Sequence, residues 1–217
     1  MYILIIKKFI SISSNLEMIT IKYMNNIKNF FKEFEYSINK INYLKIYKLA
    51  RLISQIRKKN GRVFFLGVGG SAANASHAVN DFRKLCNVEC YSPTDNTSEL
   101  TARINDDGWD SSFKNWLITS KLNSKDAIFI LSVGGGNVKK KISLNLVEAV
   151  KLAKKKKSKI LGIVGKKDGY AYINGDVMVN VDVKSFDYLT PISESMQSVV
   201  WHCLVSNPML KKNPTKW

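Results

Sequence analysis

Short apolar runs alternate with helical stripes along most of the chain. The runs at 62–66, 127–132 and 159–164 are apolar almost throughout, which is typical of strands buried on both faces of a parallel sheet. Weaker strands are predicted at 88–91 and 176–181, and helices at 71–85, 109–122, 137–155 and 194–205. This alternation predicts an α/β fold with a central parallel sheet flanked by helices.

The chain ahead of the first strand has a helical pattern. Apolar residues recur at helical spacing from Ile27 to Phe34 and again from Ile41 to Ile56, with a break near 39–42, and Asn60-Gly61 ends the second stripe. We therefore divide the chain into a possible N-terminal extension (1–23), a helical arm (24–60) and one α/β domain (61–217).

The first residues are apolar but are interrupted by Lys7 and Lys8. They predict neither a membrane-spanning helix nor a signal peptide. Met18 and Met24 are alternative starts, and we expect residues 1–17 to be an extension that the native protein lacks.

Composition narrows the function classes. The 217 residues carry a formal charge of +17, but the lysines are scattered and no aromatic residues interleave with them, so we predict neither a nucleic-acid nor a membrane partner. The three cysteines, Cys86, Cys90 and Cys203, have the spacing of neither a disulfide framework nor a zinc motif. They indicate a reducing compartment, the cytoplasm.

A glycine loop follows the first strand and opens a helix. Gly67 to Ala72 reads GVGGSA, and glycines at a helix N-terminus let the backbone approach an anion closely. The loop also fits the looser dinucleotide fingerprint, with Glu89 about twenty residues on, and an ordinary tight turn is a third interpretation. No Lys-Ser/Thr pair follows, so it is not a Walker loop.

A second glycine loop follows the central strand. Ser132 to Asn137 reads SVGGGN and again precedes a helix. Ligands of open α/β sheets bind at the carboxyl ends of the strands. A dinucleotide fold needs only the first loop, so the pair favours a sugar phosphate.

The chain has two histidines, and each shares a helix face with a carboxylate. Asp81 lies at i+4 from His77, and Glu194 at i−8 from His202. Imidazoles with carboxylates suit a divalent metal or an acid–base pair. A histidine on an apolar helix is also common as a core residue, and spacing alone does not show that the two helices meet.

Three segments resemble one known family. Residues 67–77, GVGGSAANASH, resemble the phosphoheptose isomerase signature GNGGSAxDAxH, and residues 94–109, TDNTSELTARINDDGW, are similar to TxNxSxLTAxxNDxG(Y/F). The second glycine loop stands in the position of the family's STSGNS phosphate loop. The chain is thereby identified as a member of the sugar isomerase (SIS) family, close to the sedoheptulose-7-phosphate isomerases.

The resemblance implies a three-layer SIS fold, a homotetramer with active sites at subunit interfaces, and aldose–ketose isomerisation of a seven-carbon sugar phosphate through an enediol. It also implies a divalent metal, with zinc expected. The implied metal ligands are His77, Asp81, Glu194 and His202, and of these Asp81, Glu194 and His202 are the expected catalytic residues. The implied substrate and phosphate contacts are Gly69, Gly70, Ser71, Asn105, Asp106, Ser132, Gly134, Gly135, Gly136 and Asn137.

Several positions depart from the family pattern. Asp81 replaces a glutamate that is also the family's proposed base, and Glu194 replaces a glutamine. Val133, Gly134 and Asn137 replace hydroxyl residues of the phosphate loop, which leaves backbone N–H groups to hold the phosphate. Three alternatives remain: a non-catalytic SIS module that binds phosphosugars or acts as an adaptor, an SIS transcription regulator, and a dinucleotide oxidoreductase.

Overall fold

Five parallel strands form the centre of the molecule. The computed structural model describes the backbone of residues 2–216 and the side chains of residues 18–216. The strands are β1 (Val63–Leu66), β2 (Cys90–Tyr91), β3 (Ala127–Ser132), β4 (Lys159–Val164) and β5 (Val177–Asn180). They lie in the order β2-β1-β3-β4-β5, with every neighbouring pair parallel. The predicted parallel sheet is confirmed.

Helices cover both faces of the sheet and complete three layers. They are α1 (Tyr2–Lys40), α2 (Tyr43–Lys58), α3 (Gly70–Cys86), α4 (Thr97–Asp107), α5 (Ser112–Thr119), α6 (Leu144–Lys156), α7 (Tyr170–Asn174) and α8 (Leu189–Ser206). One face packs against α2, α3 and α8, and the other against α5, α6 and α7. Successive strand residues point to opposite faces, so Phe65 and Phe129 join the first cluster and Phe64 and Ile128 the second.

The helical arm breaks where its sequence pattern predicts. α1 ends at Lys40, and Asn42 caps α2 by accepting a hydrogen bond from the backbone N–H of Lys45. Leu49, Ala50 and Ile53 of α2 are fully buried in the core. The division of the chain at residues 23 and 60 stays a prediction, and the side chains of residues 1–17 lie outside the described part.

Two helical segments differ from the sequence prediction. The helix expected at 137–155 begins only at Leu144, because residues 137–142 form a tight antiparallel turn and Lys141 and Ser143 take positive φ. The helix expected at 109–122 is a 3-10 turn (Trp109–Ser111) followed by α5. α4 was not predicted, because none of its residues is buried and it has no apolar stripe.

In the part of the chain that the structure describes, no helix combines the length and the apolar character needed to cross a membrane.

Candidate active site

Helices α3 and α8 lie side by side and run in the same direction. Side chains of the two helices form hydrogen bonds to each other: the amide of Asn74 donates to Gln197 Oε1 at 3.1 Å, and the amide of Gln197 donates to Ser71 Oγ at 3.1 Å. Ser198 Oγ donates to Asn74 Oδ1 at 2.6 Å. Gln197 and Ser71 are buried, so these bonds are shielded from water and fix the register of the two helices.

This register brings both histidines and one carboxylate together. Asp81 Oδ2 lies 3.9 Å from His77 Nε2 and 3.9 Å from His202 Nε2. One ligand atom from each of the three residues lies within 4.8 Å of the other two. Asp81 is largely buried, whereas both imidazoles are about half exposed. The cluster therefore opens to solvent, and a cavity of about 340 Å³ adjoins it.

Neighbouring groups orient this cluster. His202 Nδ1 donates to the carbonyl oxygen of Ser198 at 2.8 Å, which leaves the lone pair of His202 on Nε2, the nitrogen that faces Asp81. The amide of Asn80 donates to Asp81 Oδ1 at 2.8 Å, which leaves Oδ2 for the imidazoles. The buried ring of Trp201 packs against both histidine rings, with centroids 3.5 Å from His202 and 4.7 Å from His77.

The donor set fits a divalent metal ion. Two neutral imidazole nitrogens and a carboxylate oxygen are ligands that zinc takes in catalytic sites, where three protein ligands leave a fourth position open. Tetrahedral zinc places its ligand atoms roughly 3.4 Å apart, so the separations of 3.9 Å, and the third of at most 4.8 Å, need to close by about 0.5 to 1.4 Å. The bond from His202 Nδ1 to a backbone carbonyl is the outer-shell contact usual for ligating histidines.

Glu194 lies outside this cluster. Its carboxylate packs directly on Gly70, where an added Cβ would overlap it. Within the described residues its side chain has no hydrogen-bond or ion-pair partner, although the chain is strongly basic. The structure thus brings together three of the four predicted ligands, and the four-residue set stays a prediction.

The first glycine loop connects β1 to α3. Gly69 precedes the helix with φ of 63°, a conformation that favours glycine. Ser71 is buried, and its hydroxyl accepts the hydrogen bond from Gln197. The hydroxyl that was predicted to contact phosphate is therefore part of the contact between α3 and α8.

The second glycine loop lies at the carboxyl end of β3. Ser132 is buried, and its Oγ accepts a hydrogen bond from the backbone N–H of Gly135 at 2.9 Å. Gly135 and Gly136 have φ of 68° and 82°. Asn137 begins the turn that follows, where its Oδ1 accepts from the backbone N–H of Lys140. Gly134, Gly136 and Asn137 line a cavity of about 80 Å³.

Asn105 and Asp106 are exposed near the end of α4. The amide of Asn105 donates to Asp106 Oδ1 at 2.8 Å. Neither residue lines the cavity beside the histidines or the one at the second glycine loop. Their predicted role on the substrate side stays a prediction.

Sequence reasoning missed the residues that support the cluster. Asn80, Gln197 and Trp201 were not singled out. For two of them the sequence held a signal. Gln197 and Trp201 are four residues apart, so they lie on the same face of α8, and both are buried. Asn80 had no such signal, because its role depends on the rotamer of the adjacent Asp81.

Comparison with known proteins identifies the family to which this architecture belongs. A family model described as "SIS domain" matches residues 22–165, about two thirds of the chain. The chain belongs to the SIS domain family. The resemblance drawn from the glycine loops and the 94–109 segment is confirmed.

Relatives of this SIS domain chain include phosphoheptose isomerases. The phosphoheptose isomerase of Rhodospirillum rubrum is 27% identical over 73% of this chain and 81% of the relative. That of Syntrophotalea carbinolica is 27% identical over 81% and 88%. The lincomycin biosynthesis protein LmbN of Streptomyces lincolnensis is 28% identical over 71% of this chain, but the match spans only 58% of LmbN.

A solved structure extends the similarity to the fold. The phosphoheptose isomerase of Neisseria gonorrhoeae superposes with a TM-score of 0.70 at 21% identity, covering 85% of this chain and 96% of that one. The sugar isomerase domain of an RpiR transcription factor from Sphaerobacter thermophilus also superposes, with a TM-score of 0.55 and 16% identity over 83% and 85% of the two chains. The three-layer SIS fold is therefore confirmed.

Proposed function

We propose that this SIS domain protein is an aldose–ketose isomerase acting on a sugar phosphate. We propose sedoheptulose 7-phosphate as the ketose and D-glycero-D-manno-heptose 7-phosphate as the aldose. The observation that carries the proposal is the cluster of His77, Asp81 and His202 between α3 and α8. Phosphoheptose isomerases among its relatives support the substrate class.

His77, Asp81 and His202 would hold a divalent ion, and zinc suits two nitrogens and one oxygen. Such an ion supplies Lewis-acid stabilisation of negative charge on a carbonyl oxygen. The orienting bonds of Asn80 and Ser198 leave one lone pair of each ligand facing the cluster centre. These three residues therefore need little rearrangement to bind the ion.

Asp81 is the carboxylate that we assign to proton transfer. The Asp81 carboxylate takes the proton from the carbon beside the carbonyl, and the electron pair of that C–H bond forms the enediol double bond. Return of the proton to the neighbouring carbon, with one proton moved between the two oxygens, interconverts ketose and aldose. His202 would act on the substrate oxygens through the ion that its Nε2 would help to hold, because its Nδ1–H is already donated to the carbonyl of Ser198.

Glu194 has a different assignment. Seven residues separate Gly70 from His77 on α3, which is about 10 Å of helix rise, so a carboxylate at Gly70 does not reach the carbon that reacts beside the cluster. An unpartnered carboxylate is a good acceptor for hydroxyl groups. We assign Glu194 to the sugar hydroxyls between the two glycine loops, with Gly69 and Gly70 giving the backbone clearance.

The assembly is also part of the proposal. Exposed apolar side chains crowd the arm, including Phe31 of α1 and Tyr43 and Leu44 of α2, each at least 60% exposed. Large exposed apolar patches mark interaction surfaces. We propose that the arm mediates a homotetramer, in which the exposed Asn105 and Asp106 reach substrate. The cytoplasmic location stays a prediction from the cysteines.

The matched pair Asp81→Asn and Glu194→Gln tests the assignment, because each exchanges a carboxylate for its isosteric amide. Asp81→Asn is expected to lower kcat with sedoheptulose 7-phosphate by roughly 10²- to 10⁴-fold, the usual contribution of a general base. Glu194→Gln keeps an acceptor oxygen, so we expect a loss of about tenfold or less, mainly in KM. Equal losses in kcat would overturn the division of roles.

One observation favours the second candidate, a non-catalytic phosphosugar-binding module. Asp81 stands where the resemblance implies a glutamate base, and its shorter side chain changes the reach of the carboxylate without affecting the phosphate loop. Wild-type protein that binds sugar phosphate but turns over none of it, with zinc or manganese present, would support the module.

A further inference from the structure

The second glycine loop has a single side-chain hydroxyl, that of Ser132. Ser132 is buried and accepts from the N–H of Gly135, and the positions after it are Val133, three glycines and Asn137. Asn137 Oδ1 is used by the turn that follows. A phosphate at this loop therefore meets few side-chain hydroxyls, and backbone N–H groups and charged side chains of neighbouring segments become the main candidates for its recognition.

Two lysines lie at this loop. The turn capped by Asn137 places Lys140 at the cavity that Gly134, Gly136 and Asn137 line, and Lys166, just after β4, also lines it. The two segments are held together by backbone bonds, since the N–H groups of Tyr170 and Ala171 donate to the carbonyls of Gly136 and Gly135 at 2.9 Å.

Neither ammonium group is neutralised by a carboxylate. Within residues 18–216, the lysines that form ion pairs include Lys114, Lys151, Lys159 and Lys167, and the last of these, next to Lys166, bonds Asp182 at 2.9 Å. Lys166 Nζ instead lies 5.4 Å from the ring centre of Phe186. Two lysines without an ion-pair partner on one cavity favour a positive potential there.

The cavity has the size of a small anion. Its volume of about 80 Å³ admits a phosphate group. Asp168 also lines it, as an exposed carboxylate that opposes anion binding. The net charge of the lining side chains is still positive, two lysines against one aspartate.

We propose that Lys140 and Lys166 bind the phosphate group of the substrate and replace the hydroxyls that this loop lacks. The proposal rests on the proposed function for the sugar, but the anion site itself does not need turnover. Two ammonium groups favour the dianion and make binding sensitive to ionic strength. Selectivity for phosphorylated over unphosphorylated sugar then comes from charge.

Titration of the purified full-length protein with inorganic phosphate by calorimetry tests the site. Lys140→Gln and Lys166→Gln are each expected to weaken phosphate binding by about tenfold, the value of one charge-assisted hydrogen bond. Lys141→Gln is the matched control, since it removes the same charge from the same turn but lines neither cavity there. Lys140→Arg is expected to retain binding.

Asp168→Asn gives a readout of opposite sign. Removing the one carboxylate of the cavity is expected to tighten phosphate binding by a few-fold, which a merely structural role would not do. Unchanged affinity in both glutamine variants, or no phosphate binding by wild type, would overturn the site. Loss of phosphate binding in those variants, with no turnover of any sugar phosphate by wild type, would keep the anion site and reject the isomerase.

Discussion

Each cysteine has a distinct environment, and this decides its reactivity. Burial raises the pKa of the Cys86 thiol to about 11 and that of Cys90 to about 12, whereas Cys203 is exposed on α8. The buried pair have weak sulfur contacts only, to the carbonyls of Val205 and Val79. They are small core residues, which is consistent with a spacing that fits neither a disulfide framework nor a zinc motif.

Alkylation tests these environments. Because the thiolate is the reactive form, thiols with pKa values near 11 and 12 are almost fully protonated at pH 8. Iodoacetamide at pH 8 is expected to add one group per native chain, at Cys203, and three groups in denaturant, counted by mass spectrometry. Two or more adducts on native protein would contradict the burial.

At the scale of the helix, the glycines of the first loop are not equivalent. A Cβ on Gly67 would overlap backbone atoms of Ser71, whereas a Cβ on Gly70 would overlap the end of the flexible Glu194 side chain. Backbone yields far less readily than a carboxylate. The first glycine keeps β1 close to α3, and the last one leaves space for Glu194.

Alanine at each position separates the two roles. Gly67→Ala is expected to destabilise the protein by about 1–3 kcal/mol, as overpacking does, measured by urea unfolding. Gly70→Ala is expected to cost less than about 1 kcal/mol, because the carboxylate can move, while raising KM for the sugar phosphate. A Gly70→Ala loss as large as that of Gly67→Ala would mean that Glu194 is fixed.

The site could be predicted from the sequence only in part, because spacing within one helix is visible in the sequence and packing between helices is not. His77 and Asp81 lie one helical turn apart, so their common face could be inferred from spacing. Their meeting with His202 could not, because it depends on α3 and α8 packing in parallel through Asn74 and Gln197. Glu194 shares a face with His202, but it lies about 12 Å away along the helix, and periodicity does not report that distance.

Across the whole molecule, the sheet was the most predictable part. β3 and β4 are apolar runs with clear ends, and both match the predicted bounds. α4 escaped because its polar face and exposed surface give no apolar period. The turn at 137–142 was not predicted, because its lysines are compatible with a helix. Only the positive φ of Lys141 and Ser143, which the sequence does not show, excludes a helix there.

The exposed apolar residues of the arm are the basis for predicting that the protein assembles into a tetramer. Sedimentation of the wild type at micromolar concentration is expected to give a tetramer, because association would bury Phe31 and Leu44. Phe31→Glu with Leu44→Glu is expected to shift it to smaller species without unfolding, since both residues are exposed. Lys28→Glu, on the same helix, serves as the charge control. A monomeric wild type would contradict the proposed assembly.

Solvent exchange at the reacting carbons tests the central claim most directly. Purified protein would be incubated with sedoheptulose 7-phosphate in D2O and followed by proton NMR, with and without a chelator. We predict that the aldose forms, that deuterium enters beside the carbonyl, and that the chelator abolishes both signals. Absence of aldose and of deuterium, with zinc or manganese added, would contradict the isomerase and its enediol.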